Sequence, residues 1–113
     1  MKVAVIGSRN ILVHNLEKYL PEETTEIVSG GACGIDSCAR AYAMKTGMKL
    51  TEFLPAYEKY GRQAPLKRNL QIIEYSDLIL AFWDGQSRGT RHVIDHSRMQ
   101  NKPVRIYLRV NAE

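Results

Sequence analysis

Three glycine-bearing turns hold the residues best suited to gripping an anion. Gly7-Ser8-Arg9 follows the apolar run at 3–6, SGGACGID at 29–36 follows a short apolar stretch, and DGQSRGT at 84–90 follows the run at 78–83. Gly30 and Gly31 permit positive φ and let backbone N–H groups come close to a ligand. A helix starting near Gly34 offers its unpaired first amides and a dipole end of roughly half a charge. Gly85 and Gly89, with the hydroxyls of Ser87 and Thr90, repeat that arrangement, so two phosphate-binding turns could face one nucleotide-sized ligand.

Other residues complete a candidate site. Asp36 either complements the dipole of its own helix or accepts from a ribose hydroxyl. Arg68 and Asn69, in PLKRNLQII, fall at an expected helix start, where a cation gains nothing from the dipole; a ligand explains them better than stability does. The segment 55–65, PAYEKYGRQAP, exceeds the ~4 to 6 residues usual for such a connection, which suits a lid carrying Tyr57 and Tyr60 over a base. The candidate ligand-binding set is Gly7, Ser8, Arg9, Ser29, Gly30, Gly31, Gly34, Asp36, Tyr57, Arg68, Asn69, Asp84, Gly85, Ser87, Gly89 and Thr90. Arg68 is also the candidate for any catalytic role.

These turns need elements to hold them. Apolar patterning predicts strands over 2–6, 26–29, 50–54, 78–83 and 104–109. Helices are expected between them: 10–20, with Leu12, Leu16, Tyr19 and Leu20 at helical spacing before Pro21; 34–46, with Ile35, Cys38, Ala39 and Tyr42 on one stripe; 66–75, using Leu66, Leu70 and Ile73; and 89–101, using Val93, Ile94 and Ser97. Strand-helix alternation implies right-handed crossovers and a parallel sheet covered on both faces. The continuous apolar runs of the first and fourth strands place them in the middle, while Thr51-Glu52 and the alternation of Arg105, Tyr107 and Arg109 with Val104, Ile106 and Leu108 mark the third and fifth as edges. The order is then 3-2-1-4-5. Its topological switch lies between strands 1 and 4, where open α/β sheets bind ligands.

Composition bounds the rest. A chain of 113 residues with 44% apolar content is expected to form one domain spanning 1–113. No apolar run approaches the roughly 20 residues of a membrane span and MKVAVIG reads as a strand, so no membrane partner and a cytoplasmic location are expected. A formal charge of +4 favours anionic partners: small phosphates, RNA or single-stranded DNA. Cys33 and Cys38 have neither zinc-ribbon nor secreted-disulfide spacing and read as small buried hydrophobes. His92 and His96, four apart around Asp95, lack an evident third ligand, and no metal site is expected. GxGxxG fails because Ser29 replaces its first glycine, and GxxxxGK[ST] is absent, so no NAD or P-loop chemistry and no cofactor are expected.

The succession VIGSRN, IVSGGACGID, KRNLQII and AFWDGQSRGT resembles the SLOG superfamily of Rossmann-like nucleotide-binding proteins, particularly its compact YspA-like members, along nearly the whole chain. The resemblance implies an α/β, Rossmann-like three-layer sandwich around a five-stranded parallel sheet. LOG phosphoribohydrolases, which release a base from a nucleoside monophosphate, are similar in the first turn, the double glycine, an arginine on the third helix (here Arg68) and a final glycine-threonine turn. Their final motif is followed by a catalytic glutamate, whereas Gly89-Thr90 is followed here by Arg91, His92 and Val93. Glycosidic hydrolysis usually needs a carboxylate beside its oxocarbenium-like centre, so the resemblance implies binding more than cleavage.

The DNA-processing protein DprA is similar in SGGACGID and in RNLQII. Lys59, Arg62, Lys67, Arg68, Arg88 and Arg91 near the expected rim suit single-stranded nucleic acid. The expectation is a nucleotide or ADP-ribose-like ligand, bound by a sensor or carrier through two phosphate turns with Arg9 and Arg68 neutralising charge. LOG-like hydrolysis and DprA-like single-stranded DNA binding are the alternatives. LOG-like relatives imply a homodimer.

Overall fold

The computed structural model describes residues 1–31 and 34–108. Five strands form one sheet: β1 Lys2–Gly7, β2 Glu26–Ser29, β3 Lys49–Glu52, β4 Leu78–Trp83 and β5 Val104–Leu108. All pairings are parallel, in the order β3-β2-β1-β4-β5. The expected α/β architecture and strand order are therefore those observed.

Alternation along the two central strands divides the core. Val3, Val5, Leu80 and Phe82 face one side, where helix α1, Ile35–Thr46, adds Ile35, Ala39 and Ala43. Ala4, Ile6, Ile79 and Ala81 face the other, where α3, Ala64–Tyr75, supplies Ile72 and Ile73, and α4, Arg88–Met99, supplies Val93 and Ile94. Both central strands are buried on two faces, which is why their sequences run apolar without alternating.

The helix expected over 10–20 does not form. That segment contains one 3-10 turn, Leu16–Lys18, within otherwise irregular chain. The buried side chains are Ile11, Val13 and Leu16, whereas Leu12 is 50% exposed. Spacings of two and three do not trace a helical stripe, and Asn10, His14 and Asn15 are weak helix formers. The segment instead lays alternate side chains onto the α1 face of the sheet.

Other details of the elements shift as well. The third strand is Lys49–Glu52, two residues short of position 54. The third helix starts at Ala64, with Pro65 in its first turn, so Arg68 and Asn69 lie one turn inside it rather than at its start. The segment 55–65 is not an open loop: it holds α2, Tyr57–Tyr60, and a 3-10 turn, Gly61–Gln63. Leu66, expected on the core stripe, is 44% exposed, and the buried residues of this helix are Ala64, Asn69, Ile72 and Ile73. Cys33 and Arg109 lie outside the described residues.

Candidate functional site

At the carboxyl ends of β1 and β4 the backbones close together. Gly7 pairs with Phe82, and a Cβ at Gly7 would stand 2.3 Å from the Phe82 carbonyl oxygen, so only glycine fits this register. Beyond it, Ser8 N–H donates to the Phe82 carbonyl at 3.0 Å and Ser8 Oγ accepts from Asp84 N–H at 3.2 Å. The two chain ends are thus tied together before they diverge into their turns.

A cleft of about 300 Å³ opens at this switch point. Ile6, Gly7 and Arg9 form its floor from β1 and the turn after it. Gly30 and Asp36 border it from the turn into α1, Pro65, Leu66, Arg68, Asn69 and Ile72 from α3, and Ser87, Gly89, Thr90 and Val93 from the start of α4. Its volume is at the lower end of the ~300–1,000 Å³ typical of small-molecule sites.

Arg68 is the central cation. Its Nη1 donates to the Gly30 carbonyl at 2.9 Å, and its Nε donates to Asn69 Oδ1 at 3.0 Å. A Cβ at Gly30 would stand 2.7 Å from Arg68 Nη1 and 3.3 Å from Asp36 Oδ2, so both side chains crowd the same glycine. Burial lowers the Arg68 pKa from its ordinary value, against the opposing fields of Asp36 and Tyr57. The guanidinium stays charged, because an arginine in a protein does not deprotonate in the neutral range.

The turn into α4 is organised by Asp84. Its Oδ1 accepts from the N–H groups of Gln86 and Ser87, both at 2.8 Å, which lowers the Asp84 pKa below the ordinary carboxylate value. Gly85 turns the chain at φ +83°. Ser87 caps the helix by accepting from Thr90 N–H at 3.4 Å and from Thr90 Oγ1 at 3.3 Å, while its carbonyl accepts from Trp83 Nε1 at 3.0 Å. The N–H groups of Arg88 and Gly89, in the first turn, have no intrahelical acceptor. Outside its own helix backbone, no heavy atom of the described residues lies within 4 Å of a Cβ position at Gly89, so the backbone there borders open space.

Gly7, Arg9, Gly30, Asp36, Arg68, Asn69, Ser87, Gly89 and Thr90 come together around the cleft. Seven other candidates do not line it. Ser8, Asp84 and Gly85 build the turns, as described. Ser29 is fully buried, its Oγ accepting from Gly31 N–H at 3.1 Å. Gly31, at φ +71°, leaves room for Leu54, and Gly34, also at +71°, packs 2.3 Å from the Arg9 carbonyl by its Cβ position. Tyr57 sits outside on α2, 60% exposed, although its field reaches Arg68.

The apolar lining of Ile6, Pro65, Leu66, Ile72 and Val93 was missed in the sequence, because such residues read there as core. His92 was set aside as a metal ligand, yet its Nδ1 lies 3.3 Å from Asn69 Nδ2, which ties it to the cleft wall. Among the described residues no three His, Cys, Asp or Glu side chains gather as a metal site. No helix among the described residues is long and apolar enough to cross a membrane.

Comparison with known proteins bears on this arrangement. Residues 1–57 match the family described as DNA recombination-mediator protein A. The matched segment carries β1, its turn, β2, the double-glycine turn, α1 and β3; Arg68 and the turn into α4 lie beyond it. The chain is also similar to the Gene 61 protein of Mycobacterium phage D29, with 33% identity over 84 residues, covering 69% of this chain and 67% of that protein. No solved structure matches the chain.

Proposed function

Because the chain belongs to the DNA recombination-mediator protein A (DprA) family, SLOG-related in kind, we propose that its cleft binds a nucleotide unit. The phosphate takes the first turn of α4, where the Arg88 and Gly89 amides and the dipole favour an anion, and Arg68 supplies the opposing charge. The sugar lies toward Gly7, Gly30 and Asp36, and the base leaves past Pro65 and Leu66 toward Tyr57. The observation that carries this reading is Arg68 itself: a half-buried guanidinium held in place by Gly30 and Asn69 on the wall of a cleft at the topological switch point.

The role is binding, in a sensor or carrier, with no bond cleaved. Asp36 is the one carboxylate lining the cleft among the described residues, and it faces Arg68. The three residues after Gly89-Thr90 are Arg91, His92 and Val93, and Asp95 does not line the cleft, so no second acid is placed there to stabilise an oxocarbenium-like centre. Incubation with a nucleoside monophosphate should therefore release no free base, while calorimetry with AMP and ADP-ribose should show saturable binding that Arg68→Ala weakens at least about tenfold. Release of base by wild type but not by Arg68→Ala would replace this reading with hydrolysis.

A second reading, single-stranded DNA with one of its nucleotides in the cleft, is favoured by the surroundings of α2. Lys59 and Lys67 Nζ lie 5.2 and 5.8 Å from the centroid of the Tyr60 ring, and Tyr57 is exposed nearby. Cations interleaved with aromatic rings suit a strand whose bases stack and whose phosphates need neutralising. Oligonucleotide affinity that falls steeply with salt would select it; affinity for mononucleotides alone would discard it.

A further inference from the structure

Asn69 stands between the cleft and a histidine pair. Its Oδ1 accepts from Arg68 Nε at 3.0 Å and its Nδ2 lies 3.3 Å from His92 Nδ1. Arginine can only donate, so the Asn69 oxygen must face Arg68 and its NH₂ must face His92. His92 Nδ1 must then be an unprotonated acceptor, with the ring proton on Nε2. One guanidinium thus fixes, through a buried amide, the tautomer of a ring on the next helix.

We propose that His92 is a positioning residue for Arg68: its protonation turns the Asn69 amide and removes the acceptor from Arg68 Nε, making the cleft pH-responsive. A protonated Nδ1 would oppose the Asn69 NH₂ donor to donor. Rotation of the amide brings Oδ1 to the charged ring and passes the donor-to-donor conflict to Arg68, whose Nε–H then meets the Asn69 NH₂ and is pushed away from it. Arg68 is left with the Gly30 carbonyl as its anchor.

The groups facing His92 are consistent with a neutral ring at neutral pH. From α4, the His96 ring lies 4.2 Å away between centroids, and Asp95 adds a negative field, its carboxylate also 3.7 Å from Arg91 Nε. From α3 come Asn69 and, behind it, the Arg68 guanidinium. Burial first and the His96 charge second lower the His92 pKa below the ordinary histidine value, with Asp95 opposing them. Protonation therefore belongs to the acid side of the ordinary histidine value. Its effect on ligand affinity rests on the nucleotide reading of the cleft; the coupling of His92 to Arg68 does not.

The test is NMR of the whole isotope-labelled chain without ligand, following the His92 ring and the Arg68 Nε–H signal from pH 8 to pH 5. The Arg68 signal should shift with the same midpoint as His92. In His92→Gln that shift should vanish; in His96→Gln it should remain, with its midpoint moved up because the repelling charge is gone. An Arg68 signal unmoved while wild-type His92 titrates, or a shift that persists in His92→Gln, overturns the proposal. Because no ligand is present, this result stands apart from whether the cleft binds nucleotides.

Discussion

The two glycine turns of the rim look equivalent in sequence and differ in what fills them. At the turn into α1 the protein occupies its own space: Arg68 stands against Gly30, Leu54 against Gly31 and the Arg9 backbone against Gly34. At the turn into α4, among the described residues, a Cβ at Gly85 meets only Leu108 at 3.6 Å and one at Gly89 meets nothing within 4 Å outside its own helix backbone. The first set of glycines lets the chain pack on itself, and that packing positions Arg68. The second set leaves backbone open at the cleft. A glycine turn is evidence for a ligand only when the volume beside it is not already taken.

Substitutions can break this contrast, and Gly34→Ala should do most. Its positive φ and the 2.3 Å approach to Arg9 combine backbone strain with a clash against main chain. We expect a loss of about 3 kcal/mol or more, read as a large drop in the urea midpoint. Wild-type stability in Gly34→Ala would remove the packing role assigned to the first turn.

Next comes Arg68→Ala, which leaves the core in place and removes the charge-assisted contacts to a bound phosphate. Such contacts contribute about 1.5–3 kcal/mol, so nucleotide affinity should fall at least about tenfold by calorimetry. Gly30→Ala should follow it in direction, because the added methyl displaces Arg68 Nη1. Unchanged affinity in both variants would detach Arg68 from binding.

Asp84→Asn should cost about 1 kcal/mol, since a weaker acceptor then receives the Gln86 and Ser87 N–H groups. The Asp84 pKa is lowered on folding, so its contribution is complete above the unfolded carboxylate value and is lost as pH falls through the folded one. Wild type and variant should therefore converge in acid and separate at neutral pH in denaturation curves. A gap that persists in acid would mean that the turn does not depend on the charge.

Gly89→Ala should change least in stability, within about 1 kcal/mol and toward stabilisation, because helical backbone in open space accepts a methyl. Its effect belongs to the ligand: the methyl borders the cleft, so nucleotide binding should weaken while the urea midpoint holds. The opposite pattern would put Gly89 with the first turn and collapse the distinction.

What could be read in the sequence follows from range. Continuous apolar runs declare doubly buried strands, so 3–6 and 78–83 revealed the centre of the sheet, and mixed strands revealed its edges. The helix over 10–20 misled because Leu12, Leu16, Tyr19 and Leu20 happen to fall at helical spacing, while burial selects Ile11, Val13 and Leu16. Turn chemistry located the rim and its glycines; Arg68 stood out through an expected place at a helix start, whereas the helix begins one turn earlier, at Ala64. Spacing could not tell a glycine that admits a neighbour from one that admits a ligand, since Arg68 reaches Gly30 across 38 positions of chain. Nor could it join His92 to Asn69, whose contact exists only once α3 and α4 pack.

The most direct test of the cleft as a nucleotide site is amide NMR of wild type titrated with AMP, ADP-ribose and a short single-stranded oligonucleotide. Saturable shifts confined to Gly7, Arg9, Gly30, Arg68 and Ser87 through Thr90, and of weaker affinity in folded Arg68→Ala, are the predicted result. No shift with any of these ligands at millimolar concentration, or shifts clustered away from the β1–β4 switch, would contradict it.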